Sequence, residues 1–185
     1  MSVLSILKLE NNSYNCPGHC LYEKATKLNE NEINSSWIKQ LAFDMLETLY
    51  FNTSGVGIAA NQIGVLKNIC VIDLKRDGKK PLVLLNPIYE KLSDEVIVSN
   101  EICLSFPNVM ASMKRYKKIL VSYTDLNGEV CNIEAEGFKS NVFQHEIDHL
   151  NGDTLISKYS PNDLVYSTDY SFRIAELAIK NLIGD

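Results

Sequence analysis

Two of the chain's three histidines sit four residues apart in Gln144-His145-Glu146-Ile147-Asp148-His149-Leu150. On a helix, positions i and i+4 share a face, so both imidazoles can reach one cation while Glu146 can touch a water held there. A hydrolytic metal site needs two or three neutral or anionic donors, an open position for water, and a nearby carboxylate to take that water's proton. This stretch supplies two donors and the carboxylate. The same spacing also occurs in helices whose histidines merely cap or pack, so the rest of the chain decides between the two readings.

Two stretches upstream bear on that choice. Glu101-Ile102-Cys103-Leu104-Ser105 ends a strand-like run and offers a cysteine that can fold back onto the histidine pair as a third ligand. Taken alone, Cys103 also reads as a buried apolar thiol. A thiolate donor would neutralise one charge of the metal, leaving a softer centre beside which a base such as Glu146 becomes more useful. Further upstream lies Gly55-Val56-Gly57-Ile58-Ala59-Ala60-Asn61-Gln62. It lacks the Gly-Lys-Ser/Thr ending and the Gly-x-Gly-x-x-Gly spacing of phosphate-binding loops. Small residues there let a substrate backbone come close, and Gln62 offers an amide donor. The cluster Cys16-Pro17-Gly18-His19-Cys20 looks like half of a zinc clip, but no second half with matching spacing follows.

The elements that must position these groups follow from periodicity. From Ile33 onward, Trp37, Ile38, Leu41, Ala42, Met45, Leu46, Leu49 and Tyr50 recur as one helical stripe, with Asn34 or Ser35 to cap its start and Gly55 beyond its end. Strand-like runs follow at Asn68 to Leu74, Pro81 to Asn86, Glu95 to Cys103, Ile119 to Thr124 and Glu129 to Ala135. The pairs Asp77-Gly78, Asn86-Pro87, Ser93-Asp94 and Asn127-Gly128 read as turns between them, so the pairing should be mostly antiparallel. A final helix is expected beyond Ser160-Pro161, carrying Phe172, Ile174, Leu177, Ala178 and Leu182. The expected fold is α+β: mostly antiparallel strands around a central metal-binding helix, with an N-terminal core helix and a C-terminal helix.

A chain of 185 residues with 45% hydrophobic residues can build one good core, so residues 1–185 are expected to form a single domain. No apolar run approaches the roughly 20 residues of a membrane span, and Met1 to Asn12 lacks the layout of a secretory signal. A net charge of -5 argues against a DNA or general nucleic-acid binder. Five cysteines without a dense framework point to a reducing compartment, and the cytoplasm is the expected location.

Together the three stretches resemble the signatures of the peptide deformylases, which have the forms Gly-x-Gly-x-Ala-Ala-x-Gln, Glu-Gly-Cys-x-Ser and Gln-His-Glu-x-Asp-His-Leu. They occur here in that order, at Gly55–Gln62, Glu101–Ser105 and Gln144–Leu150. Weaker similarity runs from about Leu21 to Ile156 and includes Arg115 and Val121–Gly128. The one departure inside a signature is Ile102, where the family usually has glycine. Side chains alternate along an extended run, so if Cys103 faces the metal then Ile102 points away from it, toward the rim of a peptide groove.

The resemblance implies removal of the formyl group from N-formylmethionine at the start of nascent polypeptides. It implies Cys103, His145 and His149 as ligands of one divalent ion, with ferrous iron as the working metal and zinc or nickel as substitutes. Glu146 would be the general base, with Gln62 and the backbone N–H of Leu104 donating to the oxyanion. Glu101 and Arg115 would form an ion pair behind the Cys103 strand. Val56, Val142, Phe143 and His145 would line the methionine pocket, while the backbone near Val56, Gly57 and Ile102 would pair with the peptide. The ribosome near its exit tunnel is a further implied partner, although Ile183-Gly184-Asp185 lacks the basic run that favours ribosomal RNA. Two other readings compete: a His-Glu-x-x-His zinc protease, and a catalytically silent relative that binds nascent chains. For the protease, Leu155 stands where a metzincin needs its third histidine, and beyond the motif only Glu176 offers a carboxylate as glutamate.

Overall fold

The apolar stripe that begins at Ile33 folds, in the computed structural model, as a single turn α1 (Glu30–Ile33) and the long helix α2 (Ser36–Phe51). The structure describes residues 3–8, 20–52, 54–76, 78–158 and 164–166. Ser35 caps α2, its hydroxyl accepting from the Ile38 N–H at 3.2 Å, which satisfies one of the donors left over at a helix start. Ile38, Leu41, Ala42, Met45 and Leu49 are buried. Trp37 and Tyr50, expected on the same stripe, are exposed. They flank it, and the Tyr50 hydroxyl donates to the buried Asp73 at 2.8 Å.

Strands β1 (Gly57–Ala59), β2 (Ile69–Ile72), β3 (Leu82–Lys91), β6 (Lys118–Thr124) and β7 (Val130–Glu136) form an antiparallel sheet in the order β1-β2-β3-β6-β7. A second antiparallel sheet runs β4 (Val96–Cys103), β5 (Phe106–Tyr116), β8 (Leu164–Tyr166). The first sheet is covered on both faces over β1 and β2. Ile58, Ile69, Val71 and Leu85 pack with Ile38, Met45 and Leu49 of α2. Their alternates Ala59, Cys70, Ile72 and Leu84 pack with Phe143, Ile147 and Leu150 of the central helix α3 (Phe138–Leu150). A strand buried on both faces needs apolar residues at every position, so β2 is continuously apolar.

The β6–β7 hairpin closes at Asn127-Gly128 as read from the sequence. Asn86-Pro87 does not close a turn. It lies within β3 at a bulge between Leu85 and Ile88. Asn86 takes a φ of 52°, and its amide exchanges two hydrogen bonds of 2.8 Å with the Leu28 backbone. Proline has no N–H for the ladder, and a bulge accommodates that gap without ending the strand. Strand β5 has no counterpart in the sequence reading. It alternates faces, with Val109, Ala111, Met113 and Arg115 buried, but an arginine in the inward register hides the pattern. Just past Ser160-Pro161 the chain forms strand β8. The C-terminal helix expected beyond it, Cys16–His19 of the cysteine cluster and Asp77 of one turn pair lie outside the described residues. Among the described residues no helix is long and apolar enough to cross a membrane.

Helix α3 is buried on almost all sides, so its polar residues must find partners inside the protein. Gln144 accepts from the Tyr116 N–H at 3.1 Å and donates to the Tyr116 carbonyl at 2.9 Å, fixing α3 to the end of β5. At the other end Gly152 turns the chain with a φ of 81°, and a Cβ there would sit 2.7 Å from the Tyr22 carbonyl oxygen. Gly152→Ala combines a left-handed backbone with that clash and should cost about 1–3 kcal/mol or more of unfolding free energy. Urea denaturation checks this; an unchanged midpoint would show that the turn relaxes freely.

Candidate active site

Strand β4 delivers its last residues to α3 in strict alternation: Glu101 and Cys103 are buried, and Ile102 between them is exposed. After the turn at Leu104-Ser105 the chain reverses into β5. Across from β4, α3 presents His145 and His149 on one face. The Cys103 Sγ lies 3.1 Å from His149 Nε2, and the donor atoms of Cys103, His145 and His149 all lie within 4.8 Å of one another. One ion with bonds of about 2.0–2.3 Å can span such a set. Gln62, from the helical turn after β1, donates to Ser105 Oγ at 3.1 Å and points the same amide at Cys103 Sγ, 3.5 Å away. Its Oε1 accepts from the Ala59 N–H at 2.9 Å, which holds the amide in that orientation.

Behind the cluster is a buried set of charges. Arg115 of β5 donates to both oxygens of Glu101 at 2.7 Å and also to Asp148 of α3. Glu101 Oε2 in turn accepts from His145 Nδ1 at 2.9 Å, leaving Nε2 of that ring for a metal. Burial alone would raise the Glu101 pKa, but the hydrogen bonds from Arg115 and His145 outweigh it and hold the carboxyl below its usual range. For His145 burial disfavours the charged ring, yet Cys103, Glu101 and Glu146 together push its pKa well up. The surroundings therefore favour a positive charge at this point, which is what a bound cation supplies. His149 is held neutral, first by burial and then by the His145 and Arg115 charges, and neutral imidazole is the ligating form.

Glu146 lies against the backbone of β1. A Cβ on Gly57 would come within 2.6 Å of Glu146 Oε1 and 2.8 Å of its Cδ. Burial pushes its pKa up to about 7, with the Glu101 charge adding to the rise and the His145 and Arg115 charges opposing it. Its Oε2 is buried with no hydrogen-bond partner among the described residues. A carboxylate of this kind is poised to exchange a proton near neutral pH.

These groups open into a cavity of about 260 Å³ between β4, the Gly55–Gln62 stretch and the first turns of α3. A sequence profile of the family described as polypeptide deformylase matches residues 7–164. The chain belongs to the polypeptide deformylase family. A peptide deformylase of Endomicrobium trichonymphae is 44% identical over 157 residues, covering 84% of this chain and 88% of the relative. A peptide deformylase from Legionella pneumophila, solved as a crystal structure, superposes with a TM-score of 0.78 at 29% identity, covering 98% of this chain and 96% of that one. A class I type b peptide deformylase from Acinetobacter baumannii, solved with Met-Ala-Ser bound, superposes with a TM-score of 0.75 at 30% identity, covering 85% and 100% respectively.

Within this deformylase fold, the residues expected from sequence at the ligand set, the base and the supporting ion pair all converge. Val56, Gly57, Ile102, Leu104 and Val142 line the cavity. Phe143 does not. It is fully buried under α3 in the core with Cys70 and Leu84, because its neighbour Val142 already occupies the cavity side of the helix. Ile102 is 57% exposed at the rim, and it is absent from the residues of positive φ, so β4 carries isoleucine there without backbone strain. The sequence reading missed Phe138 and Asn141, which also line the cavity. Counting back from His145 by four and seven would have found them, since those positions share its helix face. Leu155, where the protease reading needs a histidine, is buried, and Glu176 lies outside the described residues.

Gly57→Ala should leave the fold intact, since its backbone needs no positive φ, but displace the Glu146 carboxylate. Turnover should fall at least about tenfold with the thermal midpoint little changed. Full activity in that variant would show that the close approach of Glu146 to β1 is not needed.

Proposed function

We propose that this protein removes the formyl group from N-formylmethionine at the start of nascent polypeptides and releases formate. The observation that carries the reading is the buried Cys103–His145–His149 cluster with Glu146 beside it, whose Oε2 has no partner among the described residues, at the floor of a cavity bounded by β4. The Acinetobacter baumannii relative binds Met-Ala-Ser, a peptide that begins with the residue deformylation exposes. That supports the same peptide direction here, with the substrate extended along β4, which pairs only with β5 among the described strands and so has an edge free for a further strand.

Cys103, His145 and His149 hold the ion, with ferrous iron as the working metal and zinc or nickel able to replace it. One thiolate and two imidazoles suit all three, and a divalent cation at this site supplies Lewis acidity and water acidified toward neutrality. Glu146 takes the proton of the attacking water on its carboxylate and returns it to the amine nitrogen as the C–N bond breaks. The Gln62 amide and the Leu104 backbone N–H donate to the formyl oxygen as it gains charge. Glu101 fixes the His145 ring through Nδ1, and Arg115 fixes Glu101. The substrate's origin places the reaction in the cytoplasm, at nascent chains leaving the ribosome.

Glu146→Gln should retain metal and lose turnover of a formyl-Met peptide by about 100-fold or more, as for loss of a general base. An N-acetyl-Met peptide should be a poor substrate, because a carbonyl carbon bearing only hydrogen sets the size of the reacting site. Formate and acetate release, measured beside metal content, test both. Full activity of the glutamine variant, or equal rates on the two acyl groups, contradicts the assignment.

A further inference from the structure

Asn141 occupies an unusual place in α3. Its side chain lines the cavity one helical turn before His145, the residue is only 7% exposed, and its Oδ1 is buried with no hydrogen-bond partner among the described residues. The backbone N–H donates to the Gly137 carbonyl at 3.0 Å as in an ordinary helical turn, and the partnerless Oδ1 caps no backbone N–H. Asparagine is also a poor helix-interior residue, and leucine in its place would stabilise the helix and remove a buried polar group. Phe138, one residue into the helix and 65% exposed, and Val142 beside Asn141 are the apolar members of the same wall.

A peptide that pairs with β4 and presents its formyl carbon to the Cys103–His145–His149 cluster directs its first side chain toward this wall. We propose that Asn141 is a specificity-determining residue: it makes the pocket for that side chain partly polar, so that formylated peptides starting with a hydrogen-bonding side chain of methionine's length are accepted alongside formyl-Met. This rests on the deformylase reading. A methionine side chain offers the Asn141 amide at best a weak sulfur acceptor. A glutamine side chain has nearly the same length and shape, and its amide offers both a donor and an acceptor. It therefore satisfies Asn141 whichever way that amide is turned. Discrimination between the two side chains is then smaller than in an apolar pocket, which leaves the glutamine amide unpaired.

The test compares kcat/KM for formate release from formyl-Met-Ala-Ser and formyl-Gln-Ala-Ser by wild-type protein, Asn141→Leu and Asn141→Ala. The ratio of the two substrates on one preparation is independent of how much of it carries metal. Both variants should raise the methionine-over-glutamine ratio on the order of tenfold, with Asn141→Leu gaining on formyl-Met itself. An unchanged ratio overturns the proposal while leaving deformylation standing. A rise in the leucine variant alone also overturns it, because size and not polarity would then be the cause. If wild-type protein releases formate from neither peptide, the deformylase reading fails and this proposal with it.

Discussion

The Arg115 guanidinium, buried between Glu101 and Asp148, is the interaction on which the rest of the structure depends. It joins three elements that are distant in sequence: β5 supplies the arginine, β4 the glutamate and α3 the aspartate. Buried charges are expensive unless every one is paired, and breaking such a pair typically costs about 3–5 kcal/mol. The geometry is correspondingly complete, with a two-pronged Arg115–Glu101 contact whose second oxygen also serves His145. Burial works against the arginine's charge, but its two carboxylates more than compensate and raise its pKa. Fixing Glu101 fixes both neighbours that matter: Cys103, two residues along the same face of β4, and the His145 ring.

That arrangement also explains the division of labour among the acidic groups. Glu101 and Asp148 have partners and act as fixed charge. Glu146, with an oxygen left over and a pKa near 7, is the carboxylate free to move a proton. Its Oε1 packs against the Gly57 backbone, where a side chain would displace it, and its Oε2 has no hydrogen-bond partner among the described residues. The groups around His145 favour a positive charge there, which a divalent cation held by Cys103, His145 and His149 would supply.

Much of this was legible in the sequence because it is local. The His145–His149 spacing, the alternation that buries Cys103 and the stripe of α2 each follow from a period of 3.6 or 2. What escaped was long-range. Strand β5 was missed because Arg115 occupies an inward position that only its partners on β4 and α3 make tolerable. Asn86-Pro87 looked like a turn because its meaning depends on Leu28, far away in the chain. The resemblance implies Phe143 in the pocket, whereas Asn141 lines it, and a helix buried on both sides gives no apolar cue as to which face meets the ligand. The need for Gly57 is likewise set by a side chain on another element.

The central claim is that one thiolate and two imidazoles from β4 and α3 form a single metal site. X-ray absorption spectroscopy of anaerobically purified protein tests it most directly. The account predicts one divalent ion per chain whose shell contains one sulfur and two imidazole nitrogens, with the sulfur lost in Cys103→Ser. A shell of nitrogen and oxygen alone in the wild-type protein would contradict it.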